Sequence, residues 1–269
     1  MTPPEPLPNQ EPGLPADHAA FDISDEADVR ALLRAEERHF WHRARNHYIA
    51  KRLRRLGLDS RARILELGSG AGCVATHLAG LGFEVTGVEG HQALIDVATR
   101  RAPGARFVCR DLREPIDLAG ETFDAVGLFD VIEHLDDPIA LLARAAAFVK
   151  SGGLVVGTVP ALMALWSRID EQSGHKTRYS TAGLTKLLGR VGSTTVIEVV
   201  PFFRALVPLL WLQRRLVTRH PGRAASVANS RVPAWPVNAA LYGLVQLEQA
   251  LIETPSVPGA SLWFALKRS

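Results

Sequence analysis

The sequence predicts an α/β fold: one seven-stranded, mostly parallel sheet with helices on both faces, an N-terminal helical cap and a helical insertion before the last strand. Three observations predict it. β-Rich runs alternate with segments of helical periodicity, a glycine-rich turn joins the first run to the helix after it, and acidic residues stand where the next two runs end. Alternation of this kind implies parallel neighbours, because each right-handed crossover must pack back onto its own sheet.

The elements follow in order. Residues 1–22 carry prolines at 3, 4, 6, 8, 12 and 15 among acids, and they lack the basic start and apolar stretch of a signal peptide, so they read as a disordered tail. In a cap at 23–60, Val29, Leu32, Leu33, Phe40, Trp41, Tyr48, Ile49 and Leu53 recur at three- to four-residue steps, the spacing of two amphipathic helices. The core, 61–200, reads as strand 63–67, helix 73–81 ended by Gly82, strand 83–89, helix 91–101 stopped at Pro103, and strands 106–109 and 123–129. Asp137 caps a helix that Pro138 opens, with Ile139, Leu142, Ala146 and Val149 on one face; Gly152-Gly153 end it before a strand at 154–159. A helix at 181–191 and a strand at 194–200 complete the core. Residues 201–258 exceed what the alternation needs and read as a helical insertion or lid, and the closing segment 259–269 holds the last strand, 261–267.

Composition narrows the function. At 269 residues, 47% hydrophobic and 22% charged, the chain has the make-up of a soluble protein with one substantial core, which excludes a polytopic membrane protein. The net charge is +3 with the arginines dispersed among acids, so no nucleic-acid partner is expected. Cys73 and Cys109 form neither a disulfide framework nor a C-x-x-C metal pair, and their scarcity fits the cytoplasm.

The chemistry begins at Glu66-Leu67-Gly68-Ser69-Gly70-Ala71-Gly72. A strand running into a glycine turn and then a helix presents backbone amides to a nucleotide-like ligand. A dinucleotide fingerprint wants Gly or Ala at position 73, where this chain has Cys73, which disfavours a nicotinamide oxidoreductase. The G-x-G-x-G pattern suits a ligand with adenosine and an amino-acid tail. Glu89 ends the second strand, 17 positions after Gly72, where an acid can accept both ribose hydroxyl protons. Asp111 follows the third strand and can accept from an adenine amino group. Asp130, Glu133 and His134 follow the fourth strand at three- and four-residue spacing, which in a helical turn puts them on one side. His77, His91 and His220 lie outside any constellation and read as ordinary surface or core residues.

Residues 61–160 resemble the core of class I S-adenosylmethionine (SAM)-dependent methyltransferases, a Rossmann-like fold. The resemblance rests on I-L-E-L-G-S-G-A-G, V-T-G-V-E, R-D-L, F-D-A-V-G-L-F-D-V-I-E-H-L-D-D-P and K-S-G-G-L-V-V-G-T-V-P. Over 40–200 it extends to the ubiquinone-biosynthesis O-methyltransferases and related small-molecule methyltransferases. It implies SAM as cofactor: Gly68, Gly70 and Gly72, with Glu66 and Ser69 in the same turn, cradle the methionine part; Glu89, followed by Gly90, holds the ribose; Asp111 with Leu112 holds the adenine; Phe129 stands around the sulfonium. Arg45 matches an arginine that reaches the cofactor, and pairing with the SAM carboxylate is its natural role. The group's Glu-x-x-Glu-His segment is implicated in binding magnesium, which makes Asp130, Glu133 and His134 a candidate Mg2+ site. Here the first Glu is Asp130, one methylene shorter, and an imidazole is an unusual magnesium ligand. The alternative is that Glu133 and His134 shape the acceptor pocket. Gly174-His175 resembles a G-T-H segment of the same group, and His175 is the candidate general base, with His134 as a second catalytic candidate.

The expected function is methyl transfer to a small, lipophilic acceptor at oxygen. N- or C-methylation of a small metabolite and a noncatalytic SAM-binding module are the alternatives. The fourth-strand segment lacks the Pro-Pro-aromatic tetrapeptide of many base methyltransferases. Two apolar stretches, 202–216 and 234–252, are broken by Arg204, Pro208, Pro236 and Gln246 and are not transmembrane. With Arg214, Arg215, Arg219 and Arg223 beside them, 201–252 reads as a lid over the acceptor pocket or as a peripheral contact at the inner face of the membrane.

Overall fold

The computed structural model describes residues 26–217, 231–251 and 257–269. The tail at 1–22 lies outside the described residues, as do His220 and the parts 218–230 and 252–256 of the insertion. The elements are α1 (Glu26–Arg38), α2 (Phe40–Arg55), β1 (Arg63–Leu67), α3 (Cys73–Ala79), β2 (Glu84–Glu89), α4 (Gln92–Arg101), β3 (Arg106–Cys109), β4 (Phe123–Phe129), α5 (Pro138–Phe148), β5 (Val149–Pro160), α6 (Arg168–Gln172), α7 (Thr181–Leu188), β6 (Thr194–Phe202), α8 (Val207–Val217), α9 (Trp235–Leu251) and β7 (Ser261–Arg268).

The seven strands form one sheet in the order β3-β2-β1-β4-β5-β7-β6. β7 alone runs against its neighbours, pairing antiparallel with β5 and β6. From β1 the chain winds outward to β2 and β3, then returns to β4 on the other side of β1. The strand order therefore reverses between β1 and β4, and ligands of open α/β sheets bind beyond the carboxyl ends of such a pair.

Pleating sends successive β1 side chains to opposite layers. Ile64 packs with Ile49 and Leu53 of α2 and Val74 and Leu78 of α3. Leu65 and Leu67 pack on the other face with Leu141 and Leu142 of α5 and Leu184 and Leu188 of α7. Both faces are thus covered, as expected of parallel strands.

Several boundaries differ from the sequence reading. Asp137 caps α5 as expected, its Oδ1 accepting from Ala140 N at 3.2 Å. The buried face, however, is Leu141, Leu142, Ala145 and Ala146, and Val149 has already left the helix. Gly152-Gly153 do not end α5 but lie inside β5, where the register against β4 shifts between Phe123 and Ala125. Gly152 has φ 79°, and a Cβ on Gly153 would come within 2.7 Å of Asp124 O. The pair serves an irregularity of the sheet that no larger residue could fill. α3 stops at Ala79 with Gly80 as its cap, short of Gly82, and α7 stops at Leu188, short of 191.

The described parts of the insertion lie on the cap. Asn238 of α9 accepts from Phe40 N at 2.9 Å and donates to Arg38 O at 2.9 Å, bridging the break between α1 and α2. Glu248 accepts from Arg204 N and Ala205 N, both at 2.8 Å. Among the described residues, no helix is long and apolar enough to cross a membrane.

Candidate functional site

β1 delivers the chain into the glycine turn. Gly68, Gly70 and Gly72 have φ of 78°, 53° and 77°, the left-handed region that glycine occupies without a Cβ penalty. Gly68 N and Ser69 N donate to Val88 O at 2.8 and 3.0 Å, tying the turn to β2. A Cβ on Gly68 would meet Val131 Cγ2 at 2.8 Å and one on Gly72 would meet Ala98 Cβ at 2.9 Å, whereas one on Gly70 would meet nothing within 4 Å. Gly70 is the point of the turn that a ligand can approach. Glu66 is buried beneath it, and burial pushes its carboxyl up to about 8. Glu66 Oε2 and Ser69 Oγ are buried with no hydrogen-bond partner among the described residues.

Glu89 stands where expected, at the end of β2. Its Oε2 accepts from Gly70 N at 3.0 Å; its Oε1 accepts from His91 N at 3.1 Å and pairs with His91 Nδ1 at 2.9 Å. His91 thus belongs to the surroundings of Glu89, contrary to the sequence reading. Gly90 lies against the next strand end, where a Cβ would be 3.8 Å from Asp111 Cα. The Asp111 carboxylate is held by Arg113 Nε, at 3.0 and 3.1 Å, and Nη2, at 2.6 Å; these hydrogen bonds lower its pKa. Leu112 is half-buried, its Cδ1 3.6 Å from the Cβ position of Gly68. Phe129 ends β4. Its ring lies in the layer of α2 and α3, over Gly127, where a Cβ would meet it at 2.5 Å. Residues 127 and 129 share a strand face, so the missing side chain at 127 draws the ring into the core.

Beyond β4 the charged groups gather. Arg45, reaching in from α2, pairs with the carboxylate of Asp130. Asp130 has φ 57°, and its Oδ1 accepts from Thr158 Oγ1 at 3.0 Å. Glu133 is fully buried with neither carboxyl oxygen partnered among the described residues; burial first, and then the Asp130 charge, raise its pKa well above the ordinary range. His134 and His175 meet edge-on with ring centroids 4.9 Å apart. Burial and the neighbouring His175 lower the His134 pKa.

His175 Nδ1 lies 3.0 Å from Asp170 Oδ1. Asp170, itself fully buried, also accepts from Arg178 Nε at 2.7 Å, Arg214 Nη1 at 2.5 Å and Ser167 N at 2.9 Å. Burial alone would raise its pKa, but His175 and the two arginines outweigh burial and hold it well below the usual carboxylate range. A cavity of about 190 Å³ joins these groups, with Trp41, His42, Arg45, Asp130, Glu133 and His175 in its wall.

The expected Asp130, Glu133 and His134 metal set is not what the fold assembles. Asp130 is turned to Arg45 and Thr158, and it is Glu133, His134 and His175 that each bring a ligand atom within 4.8 Å of the others. Two imidazoles and one buried carboxyl do not fit magnesium, which takes oxygen ligands and keeps several waters.

A family model described as a methyltransferase domain matches residues 40–198. The chain belongs to this methyltransferase family. It falls within the class I SAM-dependent superfamily. The methyltransferase is 33% identical over 129 residues to a ubiquinone biosynthesis O-methyltransferase of Parvibaculum lavamentivorans, covering 44% of this chain and 51% of that one. A protein of the same name from Xanthomonas axonopodis pv. citri is 33% identical over 136 residues, 47% of this chain and 55% of the relative. The methyltransferase thus spans about half the length of these curated relatives. Its fold is shared with a plantazolicin methyltransferase solved in complex with SAH (TM-score 0.57, 13% identity, 92% of each chain). It is shared also with a sarcosine dimethylglycine methyltransferase from Galdieria sulphuraria (TM-score 0.55, 16% identity, 83% and 84% covered).

The residues of the methyltransferase fit SAM. The approachable backbone at Gly70, the unpartnered Ser69 Oγ and the Glu89 carboxylate line one side, and Arg45, paired with Asp130 through Nη1 but with no partner for Nε among the described residues, would be the cation to meet a carboxylate. Sequence reasoning missed Asp170, Arg178, Arg214, Trp41 and His42. Asp170 had a local signal, the Ser167-x-x-Asp170 capping box that opens α6. Arg178 lies in the His175 segment, and Arg214, Trp41 and His42 come from other elements, with no local signal of the meeting.

Proposed function

We propose that the methyltransferase moves a methyl group from SAM to an oxygen of a small, lipophilic acceptor. The observation that carries this reading is the Asp170–His175 pair beside the cavity that also holds Arg45 and Asp130. With Nδ1 donating to an ionised Asp170, the His175 ring keeps its lone pair on Nε2, the arrangement of an oriented general base. A hydroxyl needs a base to become a nucleophile, whereas a neutral amine already offers its lone pair. An oriented imidazole therefore favours oxygen, as do the names of the curated relatives.

SAM, when bound, supplies a methyl group on a sulfonium that an acceptor displaces directly. The protein's own work is alignment and exclusion of water. Glu89 holds hydroxyls and Arg45 a carboxylate, which fixes the donor at the ends of β1 and β2. Glu133, its pKa raised by burial, lines the same cavity and is placed to hydrogen-bond the acceptor oxygen. Trp41 and α8 close the cavity. No step runs through magnesium. The exposed apolar residues Leu209, Trp211 and Leu212 of α8 and Trp235, Leu244 and Leu247 of α9 support peripheral contact with a membrane, checked by flotation with vesicles.

The test is incubation with methyl-labelled SAM and shape-matched phenols, quinols and amines. Label on phenolic oxygen is expected. Label confined to amines, protein or tRNA would overturn the proposal.

A further inference from the structure

A second cavity lies next to the catalytic one. It measures about 400 Å³, within the ~300–1,000 Å³ of ordinary ligand pockets, and Phe40, Trp41, Leu206, Leu209, Leu210 and Leu241 make its apolar wall. Trp41, His42, Leu210 and Arg214 line both cavities, so the two adjoin across a shared wall, with a polar side at His175 and an apolar side between α2, α8 and α9.

The charge of the apolar end is one-sided. Among the described residues around it, His39, His42, Gln213, Arg214 and Arg231 are the polar ones, and none of these described lining residues is acidic. Arg214 is committed to Asp170. Arg231, exposed, is the cation left to meet a ligand. His42 Nδ1 is buried without a partner among the described residues, and burial lowers the ring's pKa to about 3, so it faces the junction as a neutral imidazole.

We propose that this cavity holds the body of the methyl acceptor and that the acceptor is an apolar acid: a hydroxyl-bearing end at His175, a hydrocarbon body against α8 and α9, and an anionic group at Arg231. This rests on the proposed function for the identity of the reacting end. Shape and charge carry the rest. A neutral apolar molecule would fill the same walls but leave the arginine without a counterpart, and a cationic one would be repelled by it.

The test is calorimetry on the full chain saturated with S-adenosylhomocysteine. The probes are ω-(4-hydroxyphenyl)alkanoates of increasing chain length and 4-alkylphenols of matched length, all below their micelle concentrations. Affinity should rise about threefold per added methylene until the cavity fills. The acids should bind about fivefold more tightly than the phenols. Arg231→Gln should remove that margin and leave the phenols unchanged, and Leu209→Glu, at a half-exposed position, should weaken both series about tenfold. Equal affinity of acids and phenols for the unaltered protein, or affinity independent of chain length, would overturn the inference. Probes that bind in this pattern but are never methylated would sink the proposed function and leave this assignment standing; S-adenosylhomocysteine bound and phenols methylated without the pattern would do the reverse.

Discussion

Asp170 and His175 face each other at 3.0 Å, five residues apart, with the carboxylate buried and the ring at a cavity wall. Asp170 is also the anchor for one arginine from the loop before α7 and one from α8. The same carboxylate therefore orients the proposed base and holds the insertion over it. Replacing His175 by Ala should lower kcat about 100- to 10,000-fold, with S-adenosylhomocysteine affinity unchanged. Unaltered kcat would remove the base from the mechanism. Asp170→Asn should instead cost about 3 kcal/mol of stability, read by denaturant unfolding, because the buried Arg178 and the half-buried Arg214 lose their counter-charge.

Arg45 supplies the cation at the end of the site nearest Asp130. Arg45→Met should weaken SAM binding about tenfold or more by calorimetry, as expected for one lost charge-assisted hydrogen bond. Arg45→Lys should recover only part, since ammonium lacks the planar fork. Identical affinities in all three proteins would show that Arg45 serves Asp130 alone.

The three turn glycines separate by what surrounds them. Gly70→Ala has room for its Cβ and should cost only about 1–2 kcal/mol of backbone strain while SAM affinity falls at least about tenfold. Gly72→Ala pushes against Ala98 as well and should be the less stable protein of the two. Melting temperature and SAM titration together discriminate these effects.

Glu66 makes stability depend on pH in an unusual direction. Its carboxyl titrates at about 8 in the fold against an ordinary 4.5, so the native state binds the extra proton between those values. Stability is then fully present below pH 4.5 and declines as pH rises toward 8. Glu66→Gln should flatten this slope, gaining about 4 kcal/mol over the parent at pH 8 and little at pH 4. Parallel curves for the two proteins would refute the assignment.

The donor set at Glu133, His134 and His175 is wrong for magnesium, so exhaustive chelation followed by added Mg2+ should leave kcat unchanged. Loss on chelation with recovery in magnesium would contradict it.

The glycine turn was readable because positive φ at three alternating positions leaves few residues to choose from, and Glu89 because strand ends in such sheets are ligand positions. The cap of α5 was readable because Asp137 and Pro138 satisfy it locally. Gly152-Gly153 misled because a helix stop and a sheet irregularity demand the same residues, and only the register against β4 separates them. Asp170, Arg178 and Arg214 share one carboxylate but sit on different elements, and no periodicity along the chain encodes that meeting.

Asn238 binds the amide that starts α2 and the carbonyl that ends α1, so the insertion stitches the hinge of the cap. Evolution or an engineer cannot trade the segment at 201–258 for a foreign one and expect new selectivity at once. The stretch around 38–42 must travel with it, because the wall of the pocket and the seam that keeps it shut are made by the same few residues.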